Sequence, residues 1–280
     1  MTLTEYPDLE QGTEEWLEAR RGIVTASVIG QLITTKPPGA LDYACPQCSA
    51  DTDEQCWSMA KKEPTPVKAP HSSRIARAAE NPHNLPDRHE VADNDTSRNL
   101  TALLVSERIT GWVEPTFMNN DMARGHDVEP IARDWYAEQN ARSVSELGFM
   151  VKTLPSGARI GWSPDGLIDG DAGIEIKAPR PKKHLLTILD GDVPVEHMPQ
   201  CQAGLFVSGR DWMDFVSYFG GMRPFVKRVY ADPAWFAVIA LAVDTFEQRA
   251  GGMQDQYEQA TAGIPTTDRL PDPYDLELVI

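Results

Sequence analysis

The chain has 280 residues, 41% of them apolar and 24% charged, an ordinary globular composition for a chain long enough to bury a core without disulfides. With 26 basic and 42 acidic side chains the formal charge is −16. That excludes a polybasic coat or histone-like protein but not a nucleic-acid enzyme, because affinity follows local charge and bound metal.

No apolar run approaches the roughly 20 residues that cross a bilayer. The start, Met-Thr-Leu-Thr-Glu-Tyr-Pro, lacks a basic and an apolar signal segment. No membrane partner and a cytoplasmic location are therefore expected, the host cytoplasm if a phage encodes the chain. Along the chain, residues 13–34 carry a broken apolar stripe (Trp16, Leu17, Ala19, Val24, Val28, Ile29, Leu32) that predicts two helical pieces, the second capped by Thr25. From 36 to 99 the periodicity dissolves into a proline-rich segment with three clustered cysteines, read as an insertion that something other than a core must order. Residues 97–110 and 120–140 predict helices, and 145–152 and 158–162 predict strands. Residues 167–168 and 173–178 predict a hairpin around Asp169-Gly170-Asp171. A helix over 195–208 follows, then strands at 213–219 and 225–230 around a Gly-Gly turn. The last helix, 232–248, has Asp232 as cap and Pro233 at its first position. The tail from Gly263 reads as loosely held. The order is mixed α and β in a single domain, 1–280.

Ser163-Pro164-Asp165-Gly166 and Gly173-Ile174-Glu175-Ile176-Lys177 carry the most chemistry. Strand alternation puts Glu175 and Lys177 on one face and Ile174 and Ile176 on the other. A hairpin brings Asp165 back beside Glu175. Two carboxylates converging next to an ammonium favour a joining cation, and oxygen donors suit Mg²⁺ or Mn²⁺. Pro-Asp-Gly alone is a common turn, and Glu-x-Lys alone is expected about once in a chain of this length. Only their spacing across a short hairpin points to a site.

These residues resemble the Pro-Asp, Asp/Glu-x-Lys signature of a large nuclease superfamily, and within it the phage lambda exonuclease or YqaJ-type viral recombinase family. Four segments match in order. They are Trp16 to Ser27; Gly125 to Pro130; Ser163 to Leu167 with Glu175 to Pro179; and His197 to Gln202 with Gly209-Arg210, Trp212 and Phe215 to Tyr218. The resemblance implies a restriction-endonuclease-like core, a central mixed sheet flanked by helices, and metal-dependent cleavage of DNA phosphodiesters. It implies one or two Mg²⁺ held by Asp165, Glu175 and the Ile176 carbonyl. Lys177 would orient or deprotonate water, with Glu129 and Gln200 completing the catalytic set. Arg20, with Arg21 as its adjacent rival, and Ser27 would bind a DNA 5′-phosphate, Ser27 from near a helix start. The implied activity is a 5′→3′ exonuclease on double-stranded DNA ends in phage-type recombination. A single-strand annealing partner and a ring-shaped homo-oligomer belong to the same implication. An endonuclease of the superfamily and a non-catalytic end-binding module are the alternatives. Two acid-free islands, Lys177 to His184 and Arg223 to Arg228, offer a DNA-lining surface.

Cys45-Pro46-Gln47-Cys48, Cys56 and His71 have the spacing of a Cys₃His site for structural Zn²⁺ at 45–71. They resemble short zinc-binding segments of phage and bacterial proteins. His83 and His89 are rival fourth ligands. An iron–sulfur cluster on Cys45, Cys48, Cys56 and Cys201 is the competing reading. Lys61, Lys62, Lys68, Arg74 and Arg77 surround the site and suggest DNA contact.

Overall fold

A computed structural model describes residues 1–58, 63–80, 85–113 and 120–268. In chain order the first half comprises β1 (Thr2–Tyr6), α1 (Glu14–Arg20), β2 (Val24–Thr25), a 3₁₀ turn (Ile29–Leu32), β3 (Ile33–Lys36) and a second 3₁₀ turn (Ala40–Asp42). Then come α2 (Ser72–Glu80), β4 (Arg88–Val91), α3 (Asp95–Thr110), α4 (Asn120–Asn140), β5 (Val144–Ser145), β6 (Phe149–Thr153) and β7 (Arg159–Trp162). The remainder is β8 (Gly166–Ile168), β9 (Ala172–Lys177), α5 (Pro181–Asp190), α6 (Met198–Ser208), β10 (Trp212–Ser217), β11 (Phe225–Tyr230) and α7 (Pro233–Ala260).

The strands form three sheets among the described residues. The central one is mixed and ordered β11-β10-β9-β8-β5, with β9 and β10 parallel and the other pairs antiparallel. A second is ordered β1-β6-β7-β2, and β3 pairs with β4 in a ribbon. The fold is therefore mixed α/β with helices flanking a central mixed sheet.

Alternation along β9 and β10 decides which helix covers which face. Ile174, Ile176 and Val216 pack with Ala132 and Tyr136 of α4. Met213 and Phe215 point the other way, into the main core with Cys201, Ala203 and Leu205 of α6 and Val238, Ile239 and Phe246 of α7. Helix α6 lies close to the sheet because Gly204 has no side chain. A Cβ there would stand 2.8 Å from Trp162 and 2.9 Å from Met213. Asp232 caps α7 by accepting from the Ala234 N–H at 2.8 Å, with Pro233 as first residue, and the helix then runs twelve residues beyond the expected end. Among the described residues no helix is long and apolar enough to cross a membrane.

Several local expectations need correction. Only Glu14–Arg20 of the 13–34 stripe is α-helical. Val24 and Thr25 pair with Ile160 and Gly161 instead, so Thr25 caps nothing, and a single 3₁₀ turn follows. Burial on both sides of this short strand outweighs the helical spacing. The expected strand 145–152 is two strands in different sheets, and α2, α5 and β1 went unforeseen. Of the tail, residues 269–280 lie outside the described residues, as do Lys61, Lys62 and His83.

Candidate active site

The β8–β9 hairpin builds the centre. Asp169 (φ 48°) and Gly170 (φ 81°) both take positive φ in the three-residue connection Asp169-Gly170-Asp171, where the Asp171 N–H donates to the Ile168 carbonyl at 3.1 Å, and Gly166 then pairs with Ile174. Asp165 lies just off the end of β8, opposite Glu175. Its Oδ2 accepts from the Ile176 N–H at 2.6 Å, doing what a strand would do one residue further on. A strand residue directs its N–H and C=O to the same neighbour, so the Ile176 carbonyl is aimed to this side too.

Glu175 is fully buried, and its Oε1 lies 2.6 Å from Lys177 Nζ. Beyond that ion contact neither of its oxygens has a hydrogen-bond partner among the described residues. Glu129 enters from α4. Pro130 lacks the N–H that would bond the His126 carbonyl one turn back, and both residues line a cleft of about 380 Å³ with Glu129. Arg133, one turn on, donates to Glu129 Oε1 at 2.7 Å, to the Asp165 carbonyl at 2.7 Å and to Glu146. It thereby ties α4 to the Asp165 loop.

Burial, then the Asp165 charge, pushes the Glu129 carboxyl up to about 7. Burial does the same to Glu175, raised to about 7, with Lys177 opposing and Asp165 adding. Asp165 is raised by burial, against the pull of Lys177 and the Ile176 N–H. Burial opposes the charge on Lys177, but Glu175 and Asp165 together outweigh it and hold the ammonium above its ordinary range. Three carboxyls thus converge beside Lys177, with Arg133 as a second cation on the Glu129 side. Their hard oxygens, two of them unpartnered by hydrogen bonds, fit Mg²⁺ or Mn²⁺.

Asp165 also lines a cavity of about 170 Å³ with Trp16, Arg20, Ser27, Ser163 and Gln200. The Arg20 guanidinium lies 4.4 Å over the Trp16 ring, whose Nε1 donates to Ser163 Oγ at 2.9 Å. Arg21 turns away, donating to the Gly111 carbonyl at 3.0 Å. Ser27 sits at no helix start. Its hydroxyl is 3.1 Å from that of Thr25, and the 3₁₀ turn beyond it has no side-chain cap. Arg133 and Glu146 escaped the residue-level reading, and Ser163 entered it only as part of its motif, without a role of its own. The i,i+4 spacing of Glu129 and Arg133 was the available signal for the first.

The basic islands are mostly engaged internally. His184 is buried between Ser217 Oγ at 2.7 Å and the Arg223 carbonyl at 2.9 Å. Arg228 pairs with Asp214 at 3.0 Å, and Lys227 donates to the Gly191 carbonyl at 3.0 Å. Lys177 and Lys183 do share a cleft of about 460 Å³ with His197.

Within residues 45–71 the ligand atoms of Cys45, Cys48, Cys56 and His71 all lie within 4.8 Å of one another. Three thiols and an imidazole in that arrangement fit tetrahedral Zn²⁺. Burial opposes ionisation of Cys56, yet N–H donors and neighbouring thiols bring it down to about 7. The four-cysteine alternative fails because Cys201 is buried in the main core, apart from the other three. His89 is no rival ligand. Its ring lies 3.8 Å from that of Trp235, and Nδ1 is 3.0 Å from Thr35 Oγ1. Arg74 is not a surface residue but fully buried.

The model of the YqaJ-like viral recombinase domain matches residues 72–211, half of the chain. The chain belongs to the YqaJ-like viral recombinase family. A phage zinc finger domain to which DNA binding is ascribed matches residues 11–93, so this second match, not the first, spans the Trp16 to Ser27 segment and Cys45, Cys48, Cys56 and His71. No curated protein matches this YqaJ-like chain. The alkaline exonuclease LHK-Exo from Laribacter hongkongensis, matched in two structures of which one is in complex with dAMP, is 28% identical with a TM-score of 0.61. The match covers 90% of this chain and 100% of that one. A phage related exonuclease from Haemophilus somnus 129PT is 12% identical over 59% of this chain and 85% of its own, with a TM-score of 0.45.

Proposed function

We propose that the chain is a Mg²⁺- or Mn²⁺-dependent 5′→3′ exonuclease that degrades one strand of linear double-stranded DNA from its ends in phage-type recombination. A nuclease of the alkaline-exonuclease type, a hydrolase acting on DNA, follows already from its family and its likeness to LHK-Exo. One observation supports the finer reading: Asp165 belongs both to the Glu129, Glu175 and Lys177 cluster and to the cavity lined by Arg20, Ser27 and Gln200. Asp165, Glu175 and the Ile176 carbonyl would hold the divalent ion, which supplies Lewis-acid polarisation of the phosphate and a more acidic water.

The chain's own groups do the rest. Arg20 offers a forked pair of donors to a terminal 5′-phosphate, with Ser27 beside it. Recognition of that phosphate next to Asp165 gives the polarity. Gln200 presents amide donors to the same cavity. Lys177 stays charged, so it serves as a donor that orients water and stabilises negative charge on the phosphate rather than as a free base. Glu129 completes the acidic lining, held in orientation by Arg133. Zn²⁺ on Cys45, Cys48, Cys56 and His71 orders the inserted segment. The product would be 3′ single strands for an annealing protein, and a ring-shaped homo-oligomer would keep the enzyme on its duplex.

The deciding experiment uses linear duplex with a 5′-phosphate on one strand, and closed circular duplex beside it, with and without added Mg²⁺. Metal-dependent loss of the phosphorylated strand first is expected. Cutting of closed circles would indicate an endonuclease, and binding without cleavage an end-binding module. Either result overturns the reading.

A further inference from the structure

Arg74 is fully buried in a lobe whose own apolar cluster is small: Cys45, Ala50 and Cys56, with Cys48, Trp57 and Val67 beside them. Its guanidinium makes five hydrogen bonds. Nε donates to the Tyr43 carbonyl at 2.6 Å. Nη1 donates to the Glu54 carbonyl at 2.7 Å and to Cys56 Sγ at 3.5 Å. Nη2 donates to the carbonyls of Leu41 at 3.1 Å and Asp51 at 2.7 Å. None of these partners is a carboxylate.

Guanidinium stays protonated, and a buried charge with no opposite charge beside it is costly. Carbonyl dipoles solvate the cation without neutralising it. Three thiolates on one Zn²⁺, however, carry a net charge of −1, and Cys56 is one of the three. Other donors to the sulfurs among the described residues are neutral backbone amides, among them Trp57 N to Cys48 and His71 N to Cys56, both at 3.5 Å. The carbonyls that Arg74 gathers flank the ligands in sequence: Leu41 and Tyr43 precede Cys45, Asp51 follows Cys48, and Glu54 precedes Cys56.

We propose that Arg74 is the charge partner and clamp of the Cys₃His zinc centre, a positioning residue that closes the cysteine loop around the metal, and not a DNA contact. The inference rests on the zinc reading above. It makes metal binding and loop closure one event: the sulfur cluster without its metal lacks the fixed negative charge that balances the cation, and the loop without the cation loses the group that joins its four carbonyls. Arg88 beside the lobe is likewise taken up internally, by Asp42 at 2.6 Å and Asp53 at 3.2 Å.

The test measures zinc content and zinc release to a chromogenic chelator in the full chain. Wild type is expected to hold one zinc per chain. Arg74→Met is expected to retain it roughly 10- to 100-fold more weakly, the range for a group that hydrogen-bonds a metal ligand. Arg74→Lys restores the charge without the fork and should fall between, and Lys68→Ala, on the exposed surface, should match wild type. A measurement on the unmutated chain guards against simple misfolding of the variants: the Arg74 guanidinium resonances should move when Zn²⁺ is exchanged for Cd²⁺. Unchanged zinc retention in Arg74→Met, or unmoved resonances, overturns the role of Arg74 while zinc stands. Weaker DNA binding by Arg74→Met with zinc retention intact also overturns it. A wild-type chain that holds no zinc removes the zinc reading itself.

Discussion

Replacing Glu129 by glutamine should make the magnesium-free protein more stable at pH 8 and leave it inactive. The carboxyl titrates near 7 instead of its ordinary 4.5, first because of burial and then because of Asp165. Ionising it in the folded protein is therefore costlier than in the unfolded chain, by ~3 kcal/mol. The side chain is 25% exposed, so solvent screening reduces this to about 1–2 kcal/mol. The folded state holds the proton more tightly than the unfolded state. The stability this confers is complete below about pH 4.5 and is lost as the pH rises through about 7. Wild type bears the cost at pH 8, whereas the amide of the Glu129→Gln variant is neutral, of the same shape, and still able to accept from Arg133. Thermal unfolding of zinc-loaded protein, with no chelator and no added Mg²⁺, should place the variant about 3–5 °C above wild type at pH 8. The two should converge by about pH 4, where the carboxyl is protonated in both the folded and the unfolded chain. Added Mg²⁺ should raise wild type more than the variant, because the ion binds folded carboxylates that the variant has fewer of. A variant less stable than wild type at pH 8, or a gap independent of pH, would refute the idea that burial, with Asp165 beside it, keeps this carboxyl protonated in the absence of metal.

Lys177→Ala should lower kcat by at least about 10²–10³-fold, the scale for loss of one donor at a developing charge, with DNA binding retained in a gel-shift assay. Undiminished turnover would remove the lysine from the chemistry. Arg20→Gln should cost about 10–100-fold in kcat/KM on 5′-phosphorylated ends and much less on 5′-hydroxyl ends, since a charge-assisted pair contributes about 1.5–3 kcal/mol. An equal loss on both kinds of end would place Arg20 outside phosphate recognition. Gly148→Ala would put a Cβ 1.9 Å from the Leu9 carbonyl oxygen, a backbone atom that cannot swing aside. Urea unfolding should show a loss of about 1–3 kcal/mol, and unchanged stability would contradict the packing of the β1–α1 segment on this edge.

Local rules read well where the chemistry is local. The Asp169-Gly170 turn, the alternation of Ile174, Glu175, Ile176 and Lys177, and the Asp232-Pro233 start of α7 each depend on residues next to one another in the chain. Each forms as the sequence indicates. The Cys45, Cys48, Cys56 and His71 spacing also closes on itself. Readings of charge were less dependable. Arg74 and His184 look like surface cations in the sequence, but carbonyls and a serine distant in the chain draw them inside.

From its sequence alone this protein could be assigned its α/β class, the Asp165, Glu175 and Lys177 group and the cysteine site, because alternation and turn geometry are short-range properties of the backbone. Only the tertiary structure decided that Val24-Thr25 is a strand beside Ile160, that Arg133 links Glu129 to the Asp165 loop, and that Arg20 shares a cavity with Asp165. Those relations join segments separated by dozens of residues, or select among conformations of similar local cost. Burial against partners far along the chain makes that selection, and no window of neighbouring residues contains it.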